Sequence, residues 1–146
     1  MEKNSIKIFG NDYSTKDGTG ERDYIHIQDL VDGHMLAMNK IRDVENFEFY
    51  NLGTGNPVSV LELIDTFNSV NNLAVEKNFV DRRKGDVEVC FADPAKAYKE
   101  LNWQAKLTLE EIVSLFPVFL EEMIKTLYDP NIPIEHNDKA NYCSFC

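Results

Sequence analysis

Apolar residues change their spacing at nearly every turn signal along the chain, and that change outlines the elements. In SIKIFG they alternate and are rich in β-branched and aromatic types, which predicts a strand over residues 5–9 that stops at Gly10. NDYSTKDGTGE is polar, with turn signals at Asp17-Gly18 and Gly20, and RDYIHI then returns to strand character. From position 28 or 29 Leu30, His34, Met38 and Ile41, with Val31, Met35 and Ala37 beside them, follow helical spacing, so a helix is predicted to about position 41. FEFYNL predicts a strand at 47–52. The helix after it carries Leu61, Ile64 and Val70 on its apolar positions and opens with Ser59 and Glu62 at capping-box spacing. LAVEKNFV predicts another strand, followed by the charged segment DRRKGDVE and a short extended piece, VCFA.

Asp93-Pro94 reads as a helix start, with the aspartate as cap and the proline at the first helical position, where its missing N–H costs nothing. Thr108 and Glu111 form a second capping box ahead of a helix toward position 128, in which Pro117 removes a ladder bond and predicts a kink or a split. Strands alternating with helices define an α/β class of short strands packed with helices. Residues 1–128 read as one domain-sized unit and 129–146 as a polar, disordered tail. The elements are too short for a complete doubly wound fold, so the chain reads as part of a larger one.

Charge narrows the partners. With 25 acidic and 15 basic side chains the net charge is -10, which repels nucleic-acid backbones and anionic membrane surfaces. Neither is an expected partner, and any bound anion must meet a local basic site. MEKNSIKIFG lacks the apolar core of a secretory signal, and IVSLFPVFL is too short to span a bilayer, so a cytoplasmic location is expected. Three cysteines fit a reducing compartment. Cys143 and Cys146 have CxxC spacing, but there is no second pair and only His136 lies nearby, so no metal is expected.

Self-sufficient reaction chemistry is missing from the residue pattern. Gly53 and Gly55 follow a predicted strand, yet Val58 stands where a dinucleotide fingerprint needs its third glycine and Pro57 lies inside the motif. His26 falls in the strand-like segment and His34 reads as a packed helix residue. No Tyr-x-x-x-Lys exists to place a phenol and an ammonium on one helix face. Arginine is what remains: Arg22 ends the glycine-containing loop, and Arg82 and Arg83 precede a Gly-Asp. Two arginine sites on separate loops suit a diphosphate, because guanidinium forks match phosphate oxygens; exposed ion pairs are the ordinary alternative.

The stretches IFGNDYSTKDGTGERDYIHIQDLVDGHMLAM, YNLGTG and RRKGDVEVCFADPAKAYKELNW resemble, in order and spacing, the C-terminal part of the UDP-galactose (UDP-glucose) 4-epimerases, which are extended short-chain dehydrogenase/reductases. The resemblance runs from about position 6 to about position 111. It implies a substrate-binding C-terminal part without the N-terminal Rossmann domain that carries NAD and the catalytic Tyr-x-x-x-Lys, and hence a fragment, a truncated product or a remnant. It further implies that Phe9 packs at the nucleotide end, that Arg22 and Arg83 hold the diphosphate, that Tyr24 lines the same cleft and that Asp86 accepts from ribose hydroxyls. Cys90 falls beside the hexose, where some members have tyrosine, and its small size implies room for an N-acetyl group. The complete enzyme is expected to be a homodimer acting on UDP-sugars with NAD. The rival expectations are another UDP-sugar epimerase, decarboxylase or dehydratase, and a non-catalytic nucleotide-sugar-binding module.

Overall fold

The computed structural model describes residues 5–41 and 47–115. In chain order the elements are β1 (Ser5–Phe9), β2 (Glu21–Arg22), α1 (Ile27–Lys40), β3 (Val58–Ser59), α2 (Val60–Asn71), β4 (Glu76–Val80), β5 (Val89–Cys90) and α3 (Ala95–Leu101), with residues 109–115 also helical. β1 and β4 form a parallel pair, Ser5 opposite Glu76 and Phe9 opposite Val80. The second sheet has β2 at its centre, antiparallel to β3 and parallel to β5. The short central strand ends on Arg22 and therefore presents that residue between two partners.

Of RDYIHI only Arg22 is strand, paired with the preceding Glu21 in β2. Beyond them the Asp23 carboxylate accepts from the backbone N–H groups of Thr54, Gly55 and Ala92 and from the Thr54 hydroxyl, which draws the chain out of the ladder. His26, expected in that strand, is instead the N-cap of α1, its Nδ1 accepting from the Gln28 N–H at 3.0 Å. Capping by an imidazole satisfies one of the free N–H groups of the first turn, as a short oxygen-bearing side chain would.

α1 corrects the expectation of an apolar packed face. Its buried residues are Asp29 and Gly33, while Val31, Met35, Met38 and Ile41 are 46–69% exposed. Burial here follows Trp103, whose indole N–H donates to the Asp29 carbonyl at 2.9 Å and whose ring lies so near Gly33 that a Cβ there would come within 3.0 Å of it. Asp29 Oδ2 accepts from the N–H groups of Lys106 and Leu107, so this buried carboxyl group is held by two backbone donors. His34 is exposed rather than packed, with Nδ1–H donating to the carbonyl of Leu30 one turn back.

Ala97, Leu101 and Trp103 form the buried cluster, against which Ile25, Ala37, Tyr50, Leu52 and Ala105 pack. Residues 47–52 are not a strand. Alternation alone does not supply a ladder partner: Tyr50 and Leu52 turn to the buried cluster, and Phe47 and Phe49 meet edge-on in solvent at 5.2 Å. α3 starts one residue later than Asp93-Pro94 suggests, with Pro94 in the cap position and Asp93 Oδ1 accepting from the Ala95 N–H.

The second capping box forms in full, and the first supplies the serine cap alone. The Glu62 N–H donates to Ser59 Oγ at 3.0 Å, and Thr108 and Glu111 exchange bonds between side chain and backbone in both directions. The Pro117 interruption, the tail at 129–146 and the CxxC pair lie outside the described residues.

Candidate functional site

Four segments far apart in sequence meet at one cleft of about 290 Å³: β1, the chain through β2, the start of α2, and the turn after β4. The loop into β2 is pinned from below. Asp17 accepts from the Thr19 N–H and hydroxyl and from Ser59 Oγ, and Thr19 Oγ accepts from the Leu61 N–H, so the DGTG turn is tied to the start of α2. Burial raises the Asp17 carboxyl pKa, but the bonds from Ser59 and Thr19 outweigh it and the net shift is downward.

Of the residues singled out from the sequence, Phe9, Arg22, Tyr24, Arg83 and Asp86 all line this cleft. Arg22 Nη1 donates to the carbonyls of Glu21 and Glu88 and meets no carboxylate among the described residues. Its charge is thus oriented without being neutralised. Arg83 lies with its guanidinium carbon 4.7 Å from the centroid of the Phe9 ring and donates from Nε to Asp86 Oδ2 at 2.9 Å. The planar guanidinium suits both an aromatic face and an acid partner, and the pair fixes the arginine at the cleft edge. Burial pushes the Tyr24 phenol upward in pKa, against the smaller opposite pull of Arg22, so the phenol is neutral at any working pH.

Cys90 is exposed on β5, in register with Arg22 of β2, and is not among the residues lining the cleft. Arg82, next to Arg83 in sequence, faces elsewhere. Its guanidinium donates to Asp12 from Nε at 2.6 Å and lies 3.9 Å from the Tyr13 ring centroid. Only one of the adjacent pair therefore serves the cleft. The linings that sequence reasoning missed are Lys7, Ile8, Tyr13, Gly20 and Val60. Lys7 was within reach, because it stands two positions before Phe9 on a strand and so shares its face.

Asp23 is a further residue without a sequence signal. Four donors converge on its carboxylate from Thr54, Gly55 and Ala92, and although burial raises its pKa, those hydrogen bonds lower it overall. The turn it fills explains both glycines: Gly55 has φ of +75°, and a Cβ at Gly53 would lie 2.5 Å from Asp23 Oδ2. The backbone amides of Thr54 and Gly55 in this GxG turn are thus already occupied by the protein's own carboxylate. These residues do not fit a dinucleotide phosphate. Tyr24 also borders a second, wholly apolar hollow of about 320 Å³ between α2 and the helical residues 109–115, lined among others by Leu63, Phe67, Ile112 and Val113.

The fold is that of a sheet-and-helix part of an α/β protein, and this cleft brings two arginines, aromatic rings and an acid together. The chain belongs to the family whose model is described as GDP-mannose 4,6 dehydratase, matched over residues 2–116. Among its relatives is the UDP-glucose 4-epimerase of Bacillus subtilis, 53% identical over 107 residues, which are 73% of this chain and 32% of that protein. The crystal structure of the Stenotrophomonas maltophila UDP-glucose-4-epimerase with NAD and formylated UDP-arabinopyranose superposes with a TM-score of 0.79 at 41% identity, over 84% of this chain and 36% of that one. The Bifidobacterium longum UDP-glucose 4-epimerase with NAD+ and UDP gives 0.72 at 43% identity, over 75% and 32%. The chain spans about a third of the length of the curated relatives it matches.

Proposed function

We propose that this chain is the UDP-sugar-binding C-terminal part of a UDP-glucose 4-epimerase, the enzyme that interconverts UDP-galactose and UDP-glucose through an NAD-linked 4-keto intermediate. The observation that carries the reading is the convergence of Arg22 and Arg83 on one cleft beside Phe9 in a chain of net charge -10. Two uncompensated or edge-held guanidinium groups suit a diphosphate, and the Phe9 side suits a nucleoside. The relatives' names and bound ligands support the same reading.

Epimerisation at C4 needs a sugar that turns over between two hydride transfers. Tight contacts to the hexose would hold one orientation, so binding energy belongs on the nucleotide and diphosphate. The cleft distributes its groups in that way. Arg22 orients on peptide carbonyls and keeps its charge for a phosphate, Arg83 is steadied by Asp86, and neutral Tyr24 offers a donor without adding charge. When bound, NAD supplies and recovers the hydride. Among the described residues none forms a cradle for it, since the Gly53–Gly55 turn is filled by Asp23.

Cys90, in register with Arg22, is the proposed hexose-side residue, and its small size accommodates an N-acetyl group. Replacing Cys90 by Tyr in an active enzyme should then depress turnover of UDP-N-acetylhexosamines more than that of UDP-glucose; equal losses would contradict it. The 146 residues alone are proposed to bind UDP weakly and to turn nothing over. Calorimetric titration with UDP and with UDP-galactose turnover on the same sample tests both halves. Saturable binding lost in Arg22→Ala supports the reading, and the absence of binding to the natural protein that carries this chain would sink it.

A further inference from the structure

β1 places Lys7 and Phe9 on one face, while Ile8 between them is buried at 1% exposure. Both Lys7 and Phe9 line the charged cleft together with Arg22 and Arg83. Directly across the parallel ladder from Lys7 stands Asn78, which brings no charge. Among the described residues Lys7 has neither an ion-pair nor a hydrogen-bond partner, whereas Lys77 and Lys96 are paired with Asp65 and Glu48. Of the acids near the cleft, Asp86 is committed to Arg83, and the carboxylate of Glu88 accepts from the Ser14 N–H. The cleft therefore carries three basic side chains against one acid, inside a chain whose 25 acids outnumber its 15 bases.

We infer that Lys7 is a third cation of this site and pairs through its ammonium with the phosphate charge of a bound nucleoside diphosphate. The inference rests on the UDP-sugar reading and refines it. An ammonium on a flexible stem acts as a movable point charge, unlike the fork of a guanidinium. Its contribution is accordingly electrostatic, made at the open edge of the cleft and weakened by salt, since the Debye length is about 10 Å at 0.1 M. Phe9 then occupies the nucleoside side, and Lys7 joins Arg83 in facing the phosphates.

The test uses the natural protein that carries this chain, titrated with UDP and with uridine at low and high salt in wild-type, Lys7→Met, Lys7→Arg and Arg83→Ala forms. Lys7→Met is expected to weaken UDP about two- to fivefold at low salt, with the difference shrinking at high salt. Uridine affinity and the thermal midpoint should not move, and Lys7→Arg should restore UDP binding. Unchanged UDP affinity in Lys7→Met, or equal losses for UDP and uridine, would overturn the inference. If Arg83→Ala still loses UDP in that case, the UDP-sugar reading stands without Lys7. Failure of the wild-type protein to bind UDP at all sinks both.

Discussion

The carboxylate of Asp23 accepts the backbone N–H of Thr54 at 2.9 Å, and through this bond the segment carrying Arg22 and Tyr24 is locked to the turn that follows residues 47–52. Gly55 and Ala92 add N–H groups to the same carboxylate. Three stretches of chain are joined at one side chain, directly between two residues of the cleft.

Replacing Asp23 by Asn removes the charge and turns one acceptor into a donor that faces backbone N–H groups. The loss of charge-assisted bonds should cost about 1–3 kcal/mol in denaturant unfolding. Because the folded-state pKa of Asp23 is depressed, its contribution is present above the unfolded carboxylate value, about 3.9, and is lost as pH falls through the folded value. Acid titration of stability should therefore be shallower in Asp23→Asn than in the wild type; identical acid profiles would contradict the assignment.

Arg82 and Arg83 should separate cleanly. Arg82→Ala removes contacts to Asp12 and Tyr13 and is expected to lower the thermal midpoint with little effect on UDP binding. Arg83→Ala is expected to do the reverse, weakening UDP about tenfold or more with a small change in midpoint. Paired melting and calorimetry on the two variants reads the contrast, and the same change in both would refute it.

Tyr13 is 5% exposed and its hydroxyl has no hydrogen-bond partner among the described residues. A buried hydroxyl without a partner is a standing cost that phenylalanine lacks. Tyr13→Phe should leave stability unchanged or raise it by about 1 kcal/mol, measured as the urea midpoint. A clear loss of stability would show that the hydroxyl is engaged after all.

Gly53→Ala would drive a methyl to 2.5 Å from Asp23 Oδ2 and 2.6 Å from the Ala92 side chain. Neither neighbour has room to withdraw, as both belong to the same hydrogen-bonded junction. A cost of about 1–3 kcal/mol is expected, as in other overpacked sites. An alanine variant as stable as the wild type would mean that the junction relaxes freely.

What the residue pattern disclosed best was chemistry confined to a few neighbouring positions. The Ser59 cap and the Thr108–Glu111 box form because each needs only one turn of helix. Residues 47–52 misled because alternation describes a two-faced extended chain and is silent about whether a partner strand is available. The α1 face misled for a related reason: its burial is decided by Trp103 meeting Gly33, a contact no helical periodicity encodes. Phe9, Arg22, Tyr24, Arg83 and Asp86 were brought to attention together by resemblance, since they lie on β1, the β2 segment and the turn after β4. Asp23 stayed hidden because its donors lie 31 to 69 positions away.

Tyr24 stands between the charged cleft and the apolar hollow and lines both. Anything that settles into the hollow restrains one side of the ring, and a nucleotide would press against the other. If both cavities are filled at once, the two occupants share one ring, and any effect of the first on the affinity of the second is matched by the reverse effect.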